Sequence, residues 1–324
     1  MPELPEVETV VRGLNKHIIG QTIKDVVVLN KKSWKDERPG SPARSSLTVG
    51  RLKINEITRR GKGIIINLTE DTSLLIHLKM TGQLIYISGS PMSERSASDS
   101  RTTKRERLSR AGGNPRPNGN SSGRADRLNF GHPTDDFTNS MPSRHTRVIF
   151  KLSRGTLYFN DQRIFGWVKV LPTKDIETDK FISKLGPDAL EISTAHLSRS
   201  IKRRPKSPIK AILLDQSVLT GLGNIYVDEV LFAAGILPTR KGSSITEKDS
   251  KNLIKAINKI LKLGIKHSGT SIINYKTPEG SMGRMQNYLK VYSQDKKPCK
   301  ICQSPISKIR LVGRGTHFCS KCQK

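Results

Sequence analysis

The apolar positions of the first twenty residues recur at helical spacing. Val7, Val10, Val11, Leu14 and Ile18 lie three or four residues apart, which predicts a helix over residues 3–19 with one buried stripe. Gly20 follows as a stop. The period then changes. IKDVVVL, LKINEITRR, GIIINLT and LLIHLKMTGQLIYI alternate or run apolar between turn residues, which predicts strands. The last of these should fold into a tight pair around Met80-Thr81-Gly82, whereas residues 30–50 read as irregular and basic. Strands resume at HTRVIFKLS, GTLYFND and RIFGWVKVL, and residues 172–187 read as a linker. From residue 188 the helical period returns. AHLSRSIKRR, SPIKAILLDQ, IYVDEVLFAAG and TEKDSKNLIKAINKILKLGIKH predict four helices, with Ser207 and Pro208 suited to open the second and Thr246 to cap the last.

Between the two blocks of strands, residues 88–143 break the pattern. They are rich in Ser, Arg, Gly, Asn and Pro and hold few large apolar side chains, so burial cannot offset the entropy of ordering them. The stretch reads as a basic low-complexity insertion. It serves either as non-specific attraction to phosphate or as a tolerated surface loop.

Charge narrows the partner. Lys and Arg number 57 against 28 acidic residues, a formal net charge of +29 over 324 residues. Such an excess points to a polyanion, and nucleic acid is favoured over a membrane because no strongly amphipathic basic helix stands out. No apolar run reaches the roughly 18 residues of a membrane span, and the start lacks a signal-peptide pattern.

The four cysteines all lie in the tail. Cys299-x2-Cys302 is followed by sixteen residues and then Cys319-x2-Cys322, a pair of knuckles able to set four thiolates around one ion. One structural zinc is the expected occupant, against redox cysteines or another metal. The tail is too short for a sizeable core, so the ion would supply much of its folding energy. Arg314 lies at the tip of an expected hairpin in RLVGRGTHF, where a guanidinium can hold phosphate bidentately or simply be solvated.

The start of the chain, MPELPEVET, holds the candidate chemistry. Pro2 has a small side chain, so Met1 can be removed to leave a secondary amine. An α-amino group has a reference pKa near 8, so a usable fraction is neutral at cellular pH. On an aldehyde-like carbon it gives an iminium that is cationic without further protonation, an electron sink. Glu3 and Glu6 lie where a helix N-terminus favours negative charge. Proline and glutamate are also ordinary residues of a first helical turn.

PELPEVETVVRGL resembles the N-terminus of the bacterial formamidopyrimidine-DNA glycosylases, the MutM or 8-oxoguanine-excising family. LLDQSVLTGLGNIYVDEVLFAAG resembles that family's helix-two-turn-helix, and NYKTPEGSMGRMQNYLKVY resembles its loop over the damaged base. The likeness covers residues 2–87 and 144–324. It implies an α+β architecture: a helix plus β-sandwich domain over 1–178, a helix-two-turn-helix domain over 179–290 and a four-cysteine zinc finger over 291–324. It also implies base-excision repair by a glycosylase and lyase that removes oxidised purines and cleaves the strand by β,δ-elimination. Pro2 would be the Schiff-base nucleophile and Glu3 the proton donor. Lys62, in RRGKG, would serve the elimination or hold the phosphate at the lesion, with Glu6 in support. Met80, Arg163 and Phe165 match the residues that fill the duplex after the damaged nucleotide flips out. Lys210, Asn224 and Arg314 would hold DNA. The partner would be damaged double-stranded DNA, with the protein a monomer, off the membrane, in bacterial cytoplasm and associated with the nucleoid.

Ile164 stands where the family often has a second arginine, Asn274 where an acid is common, Met285 where an aromatic is common, and Ser293-Gln294 where Gly-Arg is usual. Three other readings are open. An endonuclease VIII-type glycosylase would prefer oxidised pyrimidines. A zinc-containing DNA-binding relative would form no covalent adduct. A metal-dependent nuclease would need a carboxylate cluster, which the sequence does not convincingly supply.

Overall fold

The computed structural model describes residues 2–39, 46–47, 51–89, 127–131, 140–270 and 283–324. The first helix, α1, spans Leu4–Ile18. Pro5 lies in its first turn, where a missing N–H is tolerated. The Glu3 N–H donates to the Glu6 carboxylate at 2.9 Å, and Gly20 ends the run at φ +75°.

Eleven strands follow among the described residues: β1 (Thr22–Val28), β2 (Trp34–Asp36), β3 (Ser46–Leu47), β4 (Leu52–Arg60), β5 (Gly63–Leu68), β6 (Thr72–His77), β7 (Gly82–Ser88), β8 (Arg127–Gly131), β9 (Thr146–Leu152), β10 (Gly155–Asp161) and β11 (Trp167–Pro172). Their order is β2-β11-β6-β5-β4-β1-β9-β10-β7-β8, with β3 against β1. Strand β1 pairs with β4 at one end and β9 along its length, so one continuous sheet doubles into a sandwich. Ile54, Ile66 and Ile76 from one half meet Leu84, Phe150 and Phe159 from the other, together with Val10 and Leu14 of α1.

Three expectations about this domain change. The run LLIHLKMTGQLIYI is not a hairpin: β6 pairs with β5 and β11, while β7 pairs with β10 and β8. The chain crosses between the sandwich halves at residues 78–81, because β6 is buried along its whole length and must lie inside its own sheet. The irregular stretch 30–50 contains β2, which pairs in parallel with β11. Within the basic insertion, β8 pairs with β7 and buries Leu128, so these five residues belong to the sheet. Residues 90–126 and 132–139 of that stretch lie outside the described residues.

The helical part holds α2 (Thr194–Lys202), α3 (Ile209–Leu214), α4 (Asn224–Ala234) and α5 (Glu247–Lys266). Thr246 caps α5, its hydroxyl accepting the Asp249 N–H at 3.1 Å while Asp249 accepts the Thr246 N–H at 2.9 Å. Leu213, Leu222, Tyr226, Val230, Leu253 and Ile257 fill this second core, and Leu4, the first residue of α1, is buried in it as well. Helix α1 therefore lies across the domain boundary, with its stripe in the sandwich and its tip among the helices. The tail forms a hairpin, β12 (Ser307–Leu311) and β13 (Arg314–Phe318), whose turn is Val312-Gly313. Among the described residues no helix is long and apolar enough to cross a membrane.

Candidate active site

The tip of α1 is fastened to the start of α4. The Leu4 N–H donates to the Gly221 carbonyl at 3.0 Å. The Glu3 carboxylate accepts the N–H groups of Ile225 at 2.9 Å and Tyr226 at 3.3 Å, satisfying donors that a helix leaves open at its first turn. A Cβ on Gly223 would lie 2.3 Å from the Glu3 carboxyl carbon, so glycine is what allows this approach. Pro2 is buried beside it. Lys62, in the turn between β4 and β5, reaches the same place and donates to the Leu222 carbonyl at 2.7 Å. Lys62, distant in sequence from the neighbouring Pro2 and Glu3, thus meets Glu3 at the two-turn segment before α4.

Burial sets the charge states here. Glu3 is 3% exposed, and loss of hydration pushes its pKa up to about 7, against the pull of the Lys62 charge and with the help of Glu6. Burial lowers the pKa of Lys62, against the pull of Glu3 and Glu6, and the charges of Arg314 and Lys79 lower it further. The carboxyl is thereby poised to hold a proton at a pH where an exposed glutamate has lost it. Glu6 is occupied differently. Its carboxylate accepts from the Tyr226 hydroxyl at 2.8 Å and from the Thr270 N–H and hydroxyl at 2.7 and 3.1 Å. It ties α1 to α4 and to the segment after α5.

Met80, Arg163 and Phe165 come together on the surface. Arg163 Nη1 lies 3.3 Å from the Met80 sulfur, and its guanidinium sits 4.7 Å from the Phe165 ring centroid. Met80 is 41% and Phe165 52% exposed, unlike core residues of their type. The organiser of this trio is Asp161, which sequence reasoning passed over. Its fully buried carboxylate accepts the N–H groups of Arg163, Phe165 and Gly166 and the hydroxyl of Thr81. One side chain thereby fixes the Met80 loop and the Arg163 loop against each other. Ile164, between Arg163 and Phe165, is held at φ +55°, an unfavourable region for a β-branched residue.

Lys210, expected to help hold DNA, is engaged here by protein groups. Its side chain is fully buried and its ammonium donates to Asp228 at 2.6 Å, to the Thr316 hydroxyl at 2.9 Å and to the Gly315 carbonyl at 3.2 Å. The cation is enclosed by protein acceptors, so in this conformation it cannot meet solvent-borne phosphate. Asn224 likewise donates to the Gly315 carbonyl at 3.0 Å, and Asp228 also accepts the His317 N–H at 2.9 Å. Lys210, Asn224 and Asp228 grip the turn-proximal part of β13, and Arg314, beside the turn, is exposed. Glu229 adds a second grip, its carboxylate accepting the N–H groups of Lys290, Val291 and Tyr292.

The four cysteine sulfurs lie within 4.8 Å of one another, with Cys302 and Cys319 3.4 Å apart and Cys299 and Cys322 3.9 Å apart. A tetrahedral ion with sulfur ligands at about 2.3 Å requires sulfur separations of about 3.8 Å. The cysteines are free rather than paired in disulfides, and the donor set fits a metal ion.

Arg59 and His77 were also missed. Arg59 bridges Glu8 of α1 at 3.1 Å and Asp188 of the helical domain at 2.6 Å. His77 is buried against Trp167 and Phe181, and burial lowers its pKa to about 3. The nearby strings RRGKG and HLKMTG flagged Lys62 and Met80, but the partners of Arg59 and His77 are too distant in sequence to be inferred. The segment 271–282, which holds Asn274, lies outside the described residues. Met285 is buried in the helical core, and Ser293 stands at φ +56° in a turn closed by the Gln294 N–H on the Val291 carbonyl.

Three family descriptions match the chain. "Formamidopyrimidine-DNA glycosylase N-terminal domain" covers residues 1–168, "Formamidopyrimidine-DNA glycosylase H2TH domain" residues 185–276, and "Zinc finger found in FPG and IleRS" residues 296–324. A formamidopyrimidine-DNA glycosylase of Desulfitobacterium hafniense is 34% identical over 326 residues, covering all of both chains. Among solved structures, a Lactococcus lactis FPG mutant in complex with a Fapy-dG containing DNA superposes with TM-score 0.75 at 29% identity, over the whole of both chains. MutM in complex with carbocyclic 8-oxo-G containing DNA superposes with TM-score 0.74 at 29% identity, again over both whole chains.

Proposed function

The chain belongs to the formamidopyrimidine-DNA glycosylase family, and from that premise we propose that it is a bifunctional DNA glycosylase and abasic-site lyase acting on oxidised purines in duplex DNA. The observation that carries the proposal is the junction of Pro2, Glu3 and Lys62, where a buried carboxyl with a pKa near 7 stands beside the chain's amino end. Support for the substrate class comes from relatives solved with Fapy-dG and 8-oxo-G containing DNA.

In this reading removal of Met1 frees the Pro2 amine. Its lone pair attacks C1′ of a flipped nucleotide, the glycosidic bond breaks with its electrons on the departing base, and that base takes up the proton the amine nitrogen sheds. Glu3 gives a proton to the sugar-ring oxygen, the ring opens, and C1′ becomes an iminium. The iminium acidifies C2′; loss of that proton expels the 3′ phosphate, and a second elimination expels the 5′ phosphate. Water then releases Pro2. Lys62, buried and with a lowered pKa, is placed to exchange protons in the eliminations or to hold the phosphate at the lesion. Met80, Arg163 and Phe165 fill the space left in the duplex, with Arg163 facing the orphan cytosine. Arg314 meets backbone phosphate, while Lys210 and Asn224 hold its hairpin. Cys299, Cys302, Cys319 and Cys322 hold one structural zinc, whose role when bound is to fix that hairpin. The protein acts as a monomer in the bacterial cytoplasm, at the nucleoid.

A panel of duplexes carrying 8-oxoguanine, a formamidopyrimidine or an oxidised pyrimidine tests the assignment. Cleavage of the first two, leaving a one-nucleotide gap with phosphate at both ends, is expected. Preference for the oxidised pyrimidine would move the chain to the endonuclease VIII-type specificity.

A further inference from the structure

Beside the Met80 loop lies a basic depression of about 360 Å³ that the proposed chemistry does not use. Four lysines line it, Lys35, Lys79, Lys169 and Lys180, with Trp167 and Phe181 as walls and Glu37 as its one acid. The fold explains the convergence. Strand β2 pairs with β11 so that Lys35 stands opposite Lys169, and β11 pairs with β6 so that Trp167 stands opposite His77, two residues before Lys79. Phe181 packs edge-on against Trp167 with ring centroids 5.4 Å apart, which brings Lys180 to the rim.

The four cations are not equivalent. Lys169 is buried, paired with Asp179 and 3.5 Å from Glu37, with its ammonium 5.3 Å from the Trp167 ring centroid. Its charge is balanced within the protein. Among the described residues Lys35, Lys79 and Lys180 have no acidic partner within ion-pair distance. Three uncompensated cations thus stand around a depression that begins one residue from Met80 and two from Phe165. A neighbouring depression is lined by Glu37, Asp175 and Asp179 together with Lys180, so the positive ground gives way to acids on the far side of Lys180.

We infer that this depression seats backbone phosphate of the duplex flank that runs past the Met80–Phe165 wedge. The inference rests on the proposed function, which brings DNA to that wedge. Charge complementarity selects the occupant: the lysines offer point charges and rotatable donors without a fixed fork, suiting a phosphodiester track rather than one planar group. Contacts of this kind carry no sequence information. They lengthen the footprint on one side of the lesion and raise the salt dependence of binding.

The test uses the full-length protein and the double variant Lys35→Gln/Lys180→Gln. Both residues are exposed and stand outside the Pro2 site and the wedge. Binding is measured against salt on a duplex of about 30 bp carrying an uncleavable abasic analogue, and on two duplexes each cut short on one flank; the expected fall in salt slope on the long duplex is about 1–2. The fall should vanish on one shortened duplex and persist on the other, with single-turnover base excision unchanged. An unaltered slope on the long duplex, a fall that persists on both short ones, or a fall lost on both, overturns the inference. Wild-type preference for the analogue over undamaged duplex is read in the same titrations, so failure of the functional reading is seen separately.

Discussion

The Pro2–Glu3–Lys62 junction and the Met80–Arg163–Phe165 wedge are built on opposite principles. At the junction, titratable groups are withdrawn from water: Glu3 and Lys62 are both buried, and each is pushed toward its neutral form. At the wedge, apolar and cationic side chains face outward, and the buried element is the carboxylate beneath them, Asp161. Burial tunes proton affinity in the first region and holds shape in the second. The difference teaches how to sort buried acids. Glu3 is dominated by desolvation, with two backbone donors that only partly offset it. Asp161 has three backbone donors and a hydroxyl converging on it and serves as a fixed acceptor hub.

The largest expected effect lies at the junction. Glu3→Gln removes the proposed proton donor and should slow base excision by about 10²–10⁴-fold in single-turnover assays. The pH profiles should change with it. With a pKa near 7, wild-type excision should decline as pH rises through about 7, and the variant should lack that limb. Stability carries the same sign. A carboxyl whose folded pKa is raised from 4.5 to about 7 holds its proton in the folded state while the unfolded state has lost it. Its contribution to stability therefore falls as pH rises from about 4.5 to about 7 and is flat outside that window. A melting series on wild type and Glu3→Gln measures the difference.

Metal removal comes next. Cys319→Ser or prolonged chelation should loosen the tail hairpin and weaken binding of an abasic-analogue duplex by about 10–100-fold, as loss of a charge-assisted phosphate contact does. The sandwich, which has its own core, should keep its far-UV signature. At the wedge, Asp161→Ala leaves several buried donors without an acceptor and should cost about 3 kcal/mol in denaturant unfolding. It should also weaken binding opposite the lesion more than it slows elimination at a preformed abasic site. The smallest effect concerns Ile164. Ile164→Gly relieves the positive φ of a β-branched residue, a strain larger than the added freedom of the unfolded chain, and should stabilise the protein by about 1 kcal/mol in the same unfolding assay.

What could be read in the sequence follows the range of the interactions. Helix α1, the Thr246 cap and the cysteine knuckles depend on residues a few positions apart, and their patterns are visible in a string. The crossing at residues 78–81 was misread because a buried strand on each side of a glycine-containing turn looks like a hairpin until its partners are known. The enclosure of Lys210 is hidden for a related reason. A lysine next to a DNA-binding motif resembles a phosphate ligand, and only the distant Asp228, Thr316 and Gly315 make it a buried clamp. Asp161 drew no attention because three of its partners are backbone groups, which carry no residue-type signal. The bond from Arg59 to Asp188 spans two domains and has no local trace.

The central claim is that the amine of Pro2, two residues before α1, is the nucleophile. Borohydride trapping on a duplex with 8-oxoguanine opposite cytosine, followed by mass spectrometry of the N-terminal peptide, tests it directly. A reduced DNA adduct on Pro2, in a peptide lacking Met1, is the predicted result. Tight binding with intact zinc but no adduct, on this duplex or on an abasic one, would contradict the account and leave a protein that binds damage without cutting it.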